Sequence, residues 1–368
     1  KESVWSRGRE AIKEELDKYA KEYKAMFERQ APKADQPKTM LPTDPNNIWM
    51  EGIGLIGLGA NAKAASIAGD LVVQNARVRA IGEDAGGFRP ISEKDLFDCE
   101  YWSLEQAKLG KGAPPKFQGK IVMITGGSGT IGFALAKAFS KLGAQTILVD
   151  KDEIALKESV AKLGVGHKYF PIDVTHSDAA NQAMLAAINN FGGLDILISN
   201  AGAAHAGPML DISNEELRNA FELNFFSQYS FSTEAAKILK DQNRGGQILF
   251  NISKQAVNPG KNFGAYGLPK ATTFFLMRQL ALELGSDGIR VNGINADRIR
   301  SGLLTDDFIS SRAKSRGVSE SEYMAGNLLN KEVTAEHVAD AFTALACAES
   351  TTGHVMTVDG GNIEASLR

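Results

Sequence analysis

Cysteine is scarce: the 368 residues hold two, Cys99 and Cys347. Two thiols make no disulfide framework, and a chain of this length buries enough surface to fold without one. A reducing compartment follows, and the cytoplasm is the expected location. No run of about 18 apolar residues exists, so no membrane span is expected. Excess positive charge is also missing. The 41 Lys and Arg stand against 44 Asp and Glu, a net charge of -3. That excludes a broad electrostatic footprint for nucleic acid or an anionic membrane. No Gly-Lys-Ser/Thr triplet occurs, so a P-loop is excluded. The five histidines lie at 167, 176, 205, 337 and 354. Residues 1–118 therefore have none, and no metal site is expected. The chain opens at Lys1 without a signal-peptide pattern and is expected to be a piece of something longer.

What is present has globular texture: 43% of residues are hydrophobic and 23% charged. Ile12, Leu16, Tyr19, Tyr23 and Met26 are spaced four, three, four and three, the stripe of an amphipathic helix ended before Pro32. Mixed acids and bases along it favour packing on protein over a membrane surface. Prolines at 32, 37, 42 and 45 make residues 31–46 an extended linker. Residues 47–118 read as a small connecting region. It has a strand near Ile48–Ile56, a helix over Ala60–Val78, and a second linker, Gly110–Gln118. The turn Gly57-Leu58-Gly59-Ala60-Asn61-Ala62 reads as a tight strand-to-helix turn, since no acid-ended second strand follows it. From 119 to 368, apolar strands alternate with Gly-rich turns and helices. The expected fold is α/β: a doubly wound parallel sheet of Rossmann type with an N-terminal α/β or helical extension.

The strongest local signal follows the apolar run Ile121-Val122-Met123-Ile124. It is Thr125-Gly126-Gly127-Ser128-Gly129-Thr130-Ile131-Gly132, opening a helix. A buried strand, a glycine turn and a helix N-terminus form a site for a pyrophosphate. Gly126, Ser128, Gly129, Thr130 and Ile131 are the expected contacts. A second strand ends in Asp150, 18 residues past Gly132, near the spacing of a ribose-binding acid. Its carboxylate accepts from ribose hydroxyls and repels a 2′-phosphate. NAD is expected over NADP, although Lys151 offers a phosphate partner. Later strands end in Asp173-Val174 and Asn200-Ala201-Gly202. Asp173 is placed for the adenine, and the second group for the underside of the cofactor.

Farther on, Ser253 precedes Tyr266 by thirteen residues, and Lys270 follows Tyr266 by four. At i and i+4 on a helix, two side chains share a face. A free phenol has a pKa of about 10, and a neighbouring ammonium is expected to lower it. The result is an acid/base group suited to an alcohol–carbonyl pair. Ser253 would hold the substrate oxygen and Lys270 the nicotinamide ribose. Pro269 requires this stretch to lie near the first turn of its helix.

With these motifs in order, residues 119–368 resemble a short-chain dehydrogenase/reductase. Ile289-Arg290-Val291-Asn292 and Val358-Asp359-Gly360-Gly361 belong to the same pattern. The resemblance implies a catalytic tetrad of Asn224, Ser253, Tyr266 and Lys270, with Asn224 holding a water in a proton relay. It also implies a homo-oligomer, a tetramer or dimer. Thr130 stands where the family has a middle glycine, and Ala296-Asp297 where it has Pro-Gly. Lys254 follows Ser253; alignment by Asn251-Ile252 selects Lys254 for the serine position, and distance to Tyr266 selects Ser253. The stretches Ser253–Gly260, Asn295–Leu304 and Glu100–Leu109 resemble the dehydrogenase half of bifunctional rhamnulose-1-phosphate aldolase/short-chain dehydrogenases. Residues 1–118 then resemble the tail of the aldolase half. The resemblance implies a lactaldehyde-like small-molecule substrate and carbohydrate catabolism. With no histidine cluster, no aldolase activity is expected. His205, Arg298 and Arg300 are candidate substrate contacts, and the segment to about Asn330 a candidate lid. An NADP-dependent carbonyl reductase and a non-catalytic dinucleotide-binding module remain as other readings.

Overall fold

The computed structural model describes residues 8–106, 112–302 and 304–362. Lys1–Val4, Ala107–Lys111 and Leu303, which entered the reading above, lie outside them. The chain divides into two compact units, Lys1–Pro115 and Lys116–Arg368.

In the first unit, helix α1 (Arg9–Gln30) stops where Pro32 enters a 3-10 turn. Its Met26 and Phe27 meet Phe97 and Tyr101, and the Phe97 and Tyr101 rings stack at 4.6 Å. The Tyr101 hydroxyl donates to the Tyr23 hydroxyl at 2.9 Å. The single strand expected near Ile48–Ile56 is instead a hairpin, β1 (Asn47–Met50) and β2 (Gly54–Gly57), paired antiparallel. The cause is local: Gly52 and Gly54 hold φ of 78° and 124°, so the chain reverses there. Helix α2 (Ala62–Asp84) follows, capped by the Asn61 side chain accepting from the Ala64 N–H. Helices α3 (Glu93–Glu100) and α4 (Ser103–Gln106) complete the unit.

The second unit is a seven-stranded parallel sheet between two helical layers. Its elements are β3 (Ile121–Thr125), α5 (Thr130–Lys141), β4 (Gln145–Asp150), α6 (Glu153–Leu163), β5 (Lys168–Pro171), α7 (Ala179–Phe191), β6 (Ile196–Ser199), α8 (Asn214–Phe221), a π-helical turn (Glu222–Phe226) and α9 (Ser227–Gln242). Then come β7 (Gly246–Asn251), a 3-10 turn (Lys254–Ala256), α10 (Gly264–Leu284), β8 (Ile289–Ala296), α11 (Asp306–Arg316), α12 (Glu320–Met324), α13 (Ala335–Cys347) and β9 (Val355–Val358). The strand order is β5-β4-β3-β6-β7-β8-β9. Chain direction across the sheet reverses between β3 and β6, which opens a crevice outside their carboxyl ends.

The strands are near-continuous apolar runs because both faces are covered. Alternate residues feed opposite layers. Met123, Ile147, Val149 and Leu197 face α7, α9 and α10, while Val122, Ile124, Leu148 and Ile198 face α5 and α13. The start of this unit departs from expectation. Phe117, assigned to the second linker, is buried 5.2 Å from the Phe139 ring, and its N–H donates to Leu142 O. Its apolar ring outweighs the linker texture around it.

Candidate active site

One crevice of about 1100 Å³ runs along the carboxyl ends of β3 to β8, wholly within the second unit. At its centre Gly126 takes φ 63°, and a Cβ there would lie 3.0 Å from Ala201 Cα. At Gly132 a Cβ would fall 2.0 Å from Gly126 O, so only glycine lets α5 pack on the turn. Gly129 caps α5 without a side-chain bond, leaving the helix N–H groups free for an anion. Gly126, Gly129, Thr130 and Ile131 line the crevice. Ser128 is not among the lining residues. Its Oγ donates to Asp150 Oδ2 at 2.7 Å, and the Lys151 N–H reaches Asp150 Oδ1 at 2.8 Å. The ribose-acid candidate is thus held rigidly at the rim.

Asp173 and Val174 line the same end. The Asp173 carboxylate accepts from the Thr175 N–H and hydroxyl, which holds its pKa below the usual value. Asn200 ties three strands together. Its Nδ2 donates to Thr125 O at 3.0 Å, and its Oδ1 accepts from Asn251 Nδ2 at 2.9 Å. Ala201 and Gly202 continue the lining. A Cβ on Gly202 would stand 2.7 Å from Asn224 Oδ1 and 3.5 Å from Lys270 Nζ. The π-helical turn aims Asn224 at this loop: Oδ1 accepts from the Ala203 N–H, and Nδ2 donates to Ala203 O. Such turns recur at functional sites.

The catalytic candidates converge. The Ser253 hydroxyl stands beside the Tyr266 phenol and favours its ionised form, and Lys270 Nζ lies 5.8 Å from the Tyr266 ring centre. Nζ donates to Asn251 O at 2.9 Å, and the lysine is buried. The expected lowering of the phenol pKa is not what burial produces. Desolvation pushes Tyr266 up to about 12, against a smaller downward effect of Ser253, and pushes Lys270 down to about 7. Pro269 also departs from expectation. It is the sixth residue of α10, past the first turn, so Ala265 O loses its helical donor.

Between the two serine-position candidates the geometry is plain. Ser253 meets Tyr266, while Lys254 Nζ pairs with Asp297 Oδ2 at 3.0 Å. Asp297 also accepts from Asn362 at 2.7 Å. The two departures from the family pattern are therefore partners. Asp297→Ala should strand a largely buried ammonium and cost about 2 kcal/mol of unfolding free energy. Denaturant melts of that variant and of Lys254→Met/Asp297→Leu check this; an equally unstable double variant counts against it.

The substrate candidates separate. Arg298, with φ 51°, lines the crevice and donates to Tyr323 O at 2.6 Å. Arg300 does not line it; it pairs with Glu332 and Asp306. His205 is also outside the lining, half-exposed and 3.4 Å from Glu216. Sequence reasoning missed Lys261, Phe263, Phe308, Arg312, Arg316 and Tyr323, all of which line the crevice. Phe308, Arg312, Arg316 and Tyr323 fall in the stretch read only as a candidate lid, and the four-residue spacing of 308, 312 and 316 was a further signal. Among the described residues no group of three or more His, Cys, Asp or Glu is placed to hold a metal. None of their helices is long and apolar enough to cross a membrane.

A family model described as Enoyl-(Acyl carrier protein) reductase matches residues 127–362, and one described as Aldolase class II, second domain, matches residues 3–109. An uncharacterized oxidoreductase of Bacillus subtilis (strain 168), YuxG, is 32% identical over 365 residues. The match covers 95% of this chain, which spans only 52% of that protein's length. Short-chain dehydrogenase reductase 3b of Arabidopsis thaliana is 30% identical over 250 residues, covering 67% of this chain and 96% of that protein. Among solved structures, 3-ketoacyl-(acyl-carrier-protein) reductase from Brucella melitensis complexed with NADH is similar at a TM-score of 0.60 and 25% identity, covering 67% of this chain and 99% of that chain. A short-chain type dehydrogenase/reductase from Mycobacterium marinum gives 0.61 and 27%, covering 67% and 96%.

Proposed function

Because the chain belongs to the short-chain dehydrogenase/reductase family, with an N-terminal part that matches class II aldolases as in an aldolase–dehydrogenase fusion, we propose that it oxidises and reduces a small hydroxy-carbonyl or polyol, lactaldehyde-like, with NAD. The observation that carries this is the meeting of Tyr266, Ser253 and buried Lys270 on one wall of a crevice whose glycines leave room for a dinucleotide. Gly126, Gly129 and the α5 N-terminus would hold the pyrophosphate, Asp150 the adenine ribose, and Lys270 the nicotinamide ribose. When bound, the nicotinamide supplies the acceptor for the hydride that leaves the carbinol carbon with its electron pair. Tyr266 Oη takes the hydroxyl proton as the C–O bond becomes a carbonyl, and returns it in the reverse direction. Ser253 orients the substrate oxygen, and Asn224 braces the loop that carries Gly202 against Lys270.

A panel of small polyols and hydroxy-carbonyls, lactaldehyde among them, with NADH absorbance as readout, tests the reading. NADH binding without redox change on any member, nor on acidic or phosphorylated analogues of them, would favour a non-catalytic binding module. Asp150 carries the cofactor preference: NADH is expected to bind at least about tenfold tighter than NADPH, one unfavourable charge contact. Asp150→Ser should narrow that ratio, with fluorescence titration as readout. Equal affinities in the unmodified chain would transfer the reading to an NADP-dependent carbonyl reductase. The same proposal takes exposed Phe275 and Leu282 on α10 and Tyr229 on α9 as a contact between copies, in a dimer or tetramer. The two free thiols suit the cytoplasm. With no histidine in residues 1–118, no aldolase chemistry is assigned to this chain.

A further inference from the structure

The crevice is electrostatically lopsided. At its β4–β5 end the lining includes Asp150, Lys151 and Asp173, a net charge of one negative. Along β7, β8 and the helices that follow, five basic residues line it besides Lys270, the amine beside the phenol: Lys254, Lys261, Arg298, Arg312 and Arg316. Two carboxylates, Asp297 and Glu222, line the rest of the wall, so three positive charges stand in excess. Asp297 is already engaged by both Lys254 and Arg298. The whole chain carries -3, so this excess is local. Low-dielectric walls focus such a field on whatever enters.

One side chain gives the excess a direction. Arg312 Nε is buried and has no hydrogen-bond partner. Leaving a buried donor unmade costs about 1–3 kcal/mol, more for a charged group. The Arg312 guanidinium lies over the Phe263 ring, 5.7 Å from its centre. Phe263 immediately precedes α10, and its carbonyl accepts the Tyr266 N–H at 3.2 Å. Arg312 therefore stands beside the segment that presents the phenol. Phe308, Arg312 and Arg316 share one face of α11 by their four-residue spacing. The Phe308 ring meets Phe263 edge-on at 5.9 Å, and Arg316 lies over the Tyr323 ring at 5.2 Å. Aromatic faces hold both guanidiniums without using up their N–H donors.

Resting on the dehydrogenase reading above, we infer that the substrate carries an anionic group, a carboxylate or a phosphate, which Arg312 binds through Nε and its fork while Arg316 adds charge. A planar guanidinium matches either anion bidentately, which a lysine ammonium does not. The neutral compounds of the first panel would then be poor analogues that share only the reacting hydroxyl.

Glycerol, glycerate and glycerol 3-phosphate form a matched neutral, carboxylate and phosphate series. Each is titrated calorimetrically into the NADH-loaded full chain and assayed for NAD reduction. One anionic member should bind at least about tenfold tighter than glycerol, the size of one charged hydrogen bond. Which one leads separates carboxylate from phosphate. Arg312→Gln should bring the anion-to-neutral ratio close to one, and Arg312→Lys should restore part of it. NADH titration of each variant checks that the crevice is intact. Glycerol binding as well as the anions, no member binding, or a preference that survives in Arg312→Gln, overturns the inference. An anion preference in binding without any turnover supports the Arg312 subsite and counts against the dehydrogenase reading.

Discussion

Replacing Tyr266 with phenylalanine is expected to lower turnover about 10³-fold, within the range a single general acid/base supplies, while NADH affinity stays within about twofold. Tyr266 is buried, so the ring fills its place without the oxygen. Ser253 keeps its bond from the Gln255 N–H, and the apolar packing is unchanged. What is lost is the phenol that stands beside Ser253 and Lys270 on the crevice wall. The phenol sits near 12, so it is fully protonated at neutral pH and ready to give its proton to a carbonyl. In the oxidation direction it must first be deprotonated, and the rate should rise with pH across the neutral and mildly alkaline range. That asymmetry should vanish in Tyr266→Phe. Steady-state rates in both directions over a pH series, with fluorescence titration of NADH, are the measurement. Turnover like that of the unmodified chain, with an unchanged pH profile, would remove Tyr266 from the chemistry.

Much of this site was legible because its signals are short-range. The buried runs at 121–125 and 145–150, the glycine turn between them and Asp150 fall within about thirty residues. Each is dictated by local chemistry: apolar strands, positive φ at Gly126, a carboxylate at a strand end. Tyr266 and Lys270 were legible because helical spacing alone puts them together. The other features depend on contacts far along the chain or on competing local preferences. Lys254 and Asp297 are 43 positions apart, and no pattern in either segment announces the pair. Arg300 and Arg298 looked equivalent, yet Glu332 and Asp306 draw one outward while Tyr323 O holds the other at the crevice. Arg312 carries no signal of its own in the sequence, since an arginine on a polar helix is ordinarily solvated. Its aromatic neighbour Phe263 lies 49 residues away. The phenol pKa was misjudged for a related reason: proximity to a charge can be read from spacing, but desolvation belongs to the assembled core.

Lys270→Met should separate catalysis from stability in opposite directions. Turnover is expected to fall about 10²-fold, since the site loses the amine that stands beside the phenol and would hold the nicotinamide ribose. Stability should change in its pH dependence. In the folded chain burial brings the Lys270 ammonium down to about 7, against 10.5 for the free side chain. Between those values the unfolded chain holds a proton at this residue that the folded chain lacks, so unfolding free energy rises with pH. Below about 7 both states hold the proton, and the penalty of burying the ammonium is fully present. Over pH 7 to 9 the linkage amounts to about 2 kcal/mol. Tyr266 acts in a higher window: its folded value near 12 against 10 makes stability fall above pH 10. Methionine fills a similar volume without a titrating group and gives up only the bond to Asn251 O. Denaturant melts at pH 7 and 9 should therefore show a rise in the unmodified chain that is absent from Lys270→Met. The variant should equal or exceed the unmodified chain at the lower pH. Parallel curves for the two proteins would mean that Lys270 carries its charge, solvated, throughout this range. The close approach of Lys270 to Tyr266 would then have to be explained without a desolvated amine.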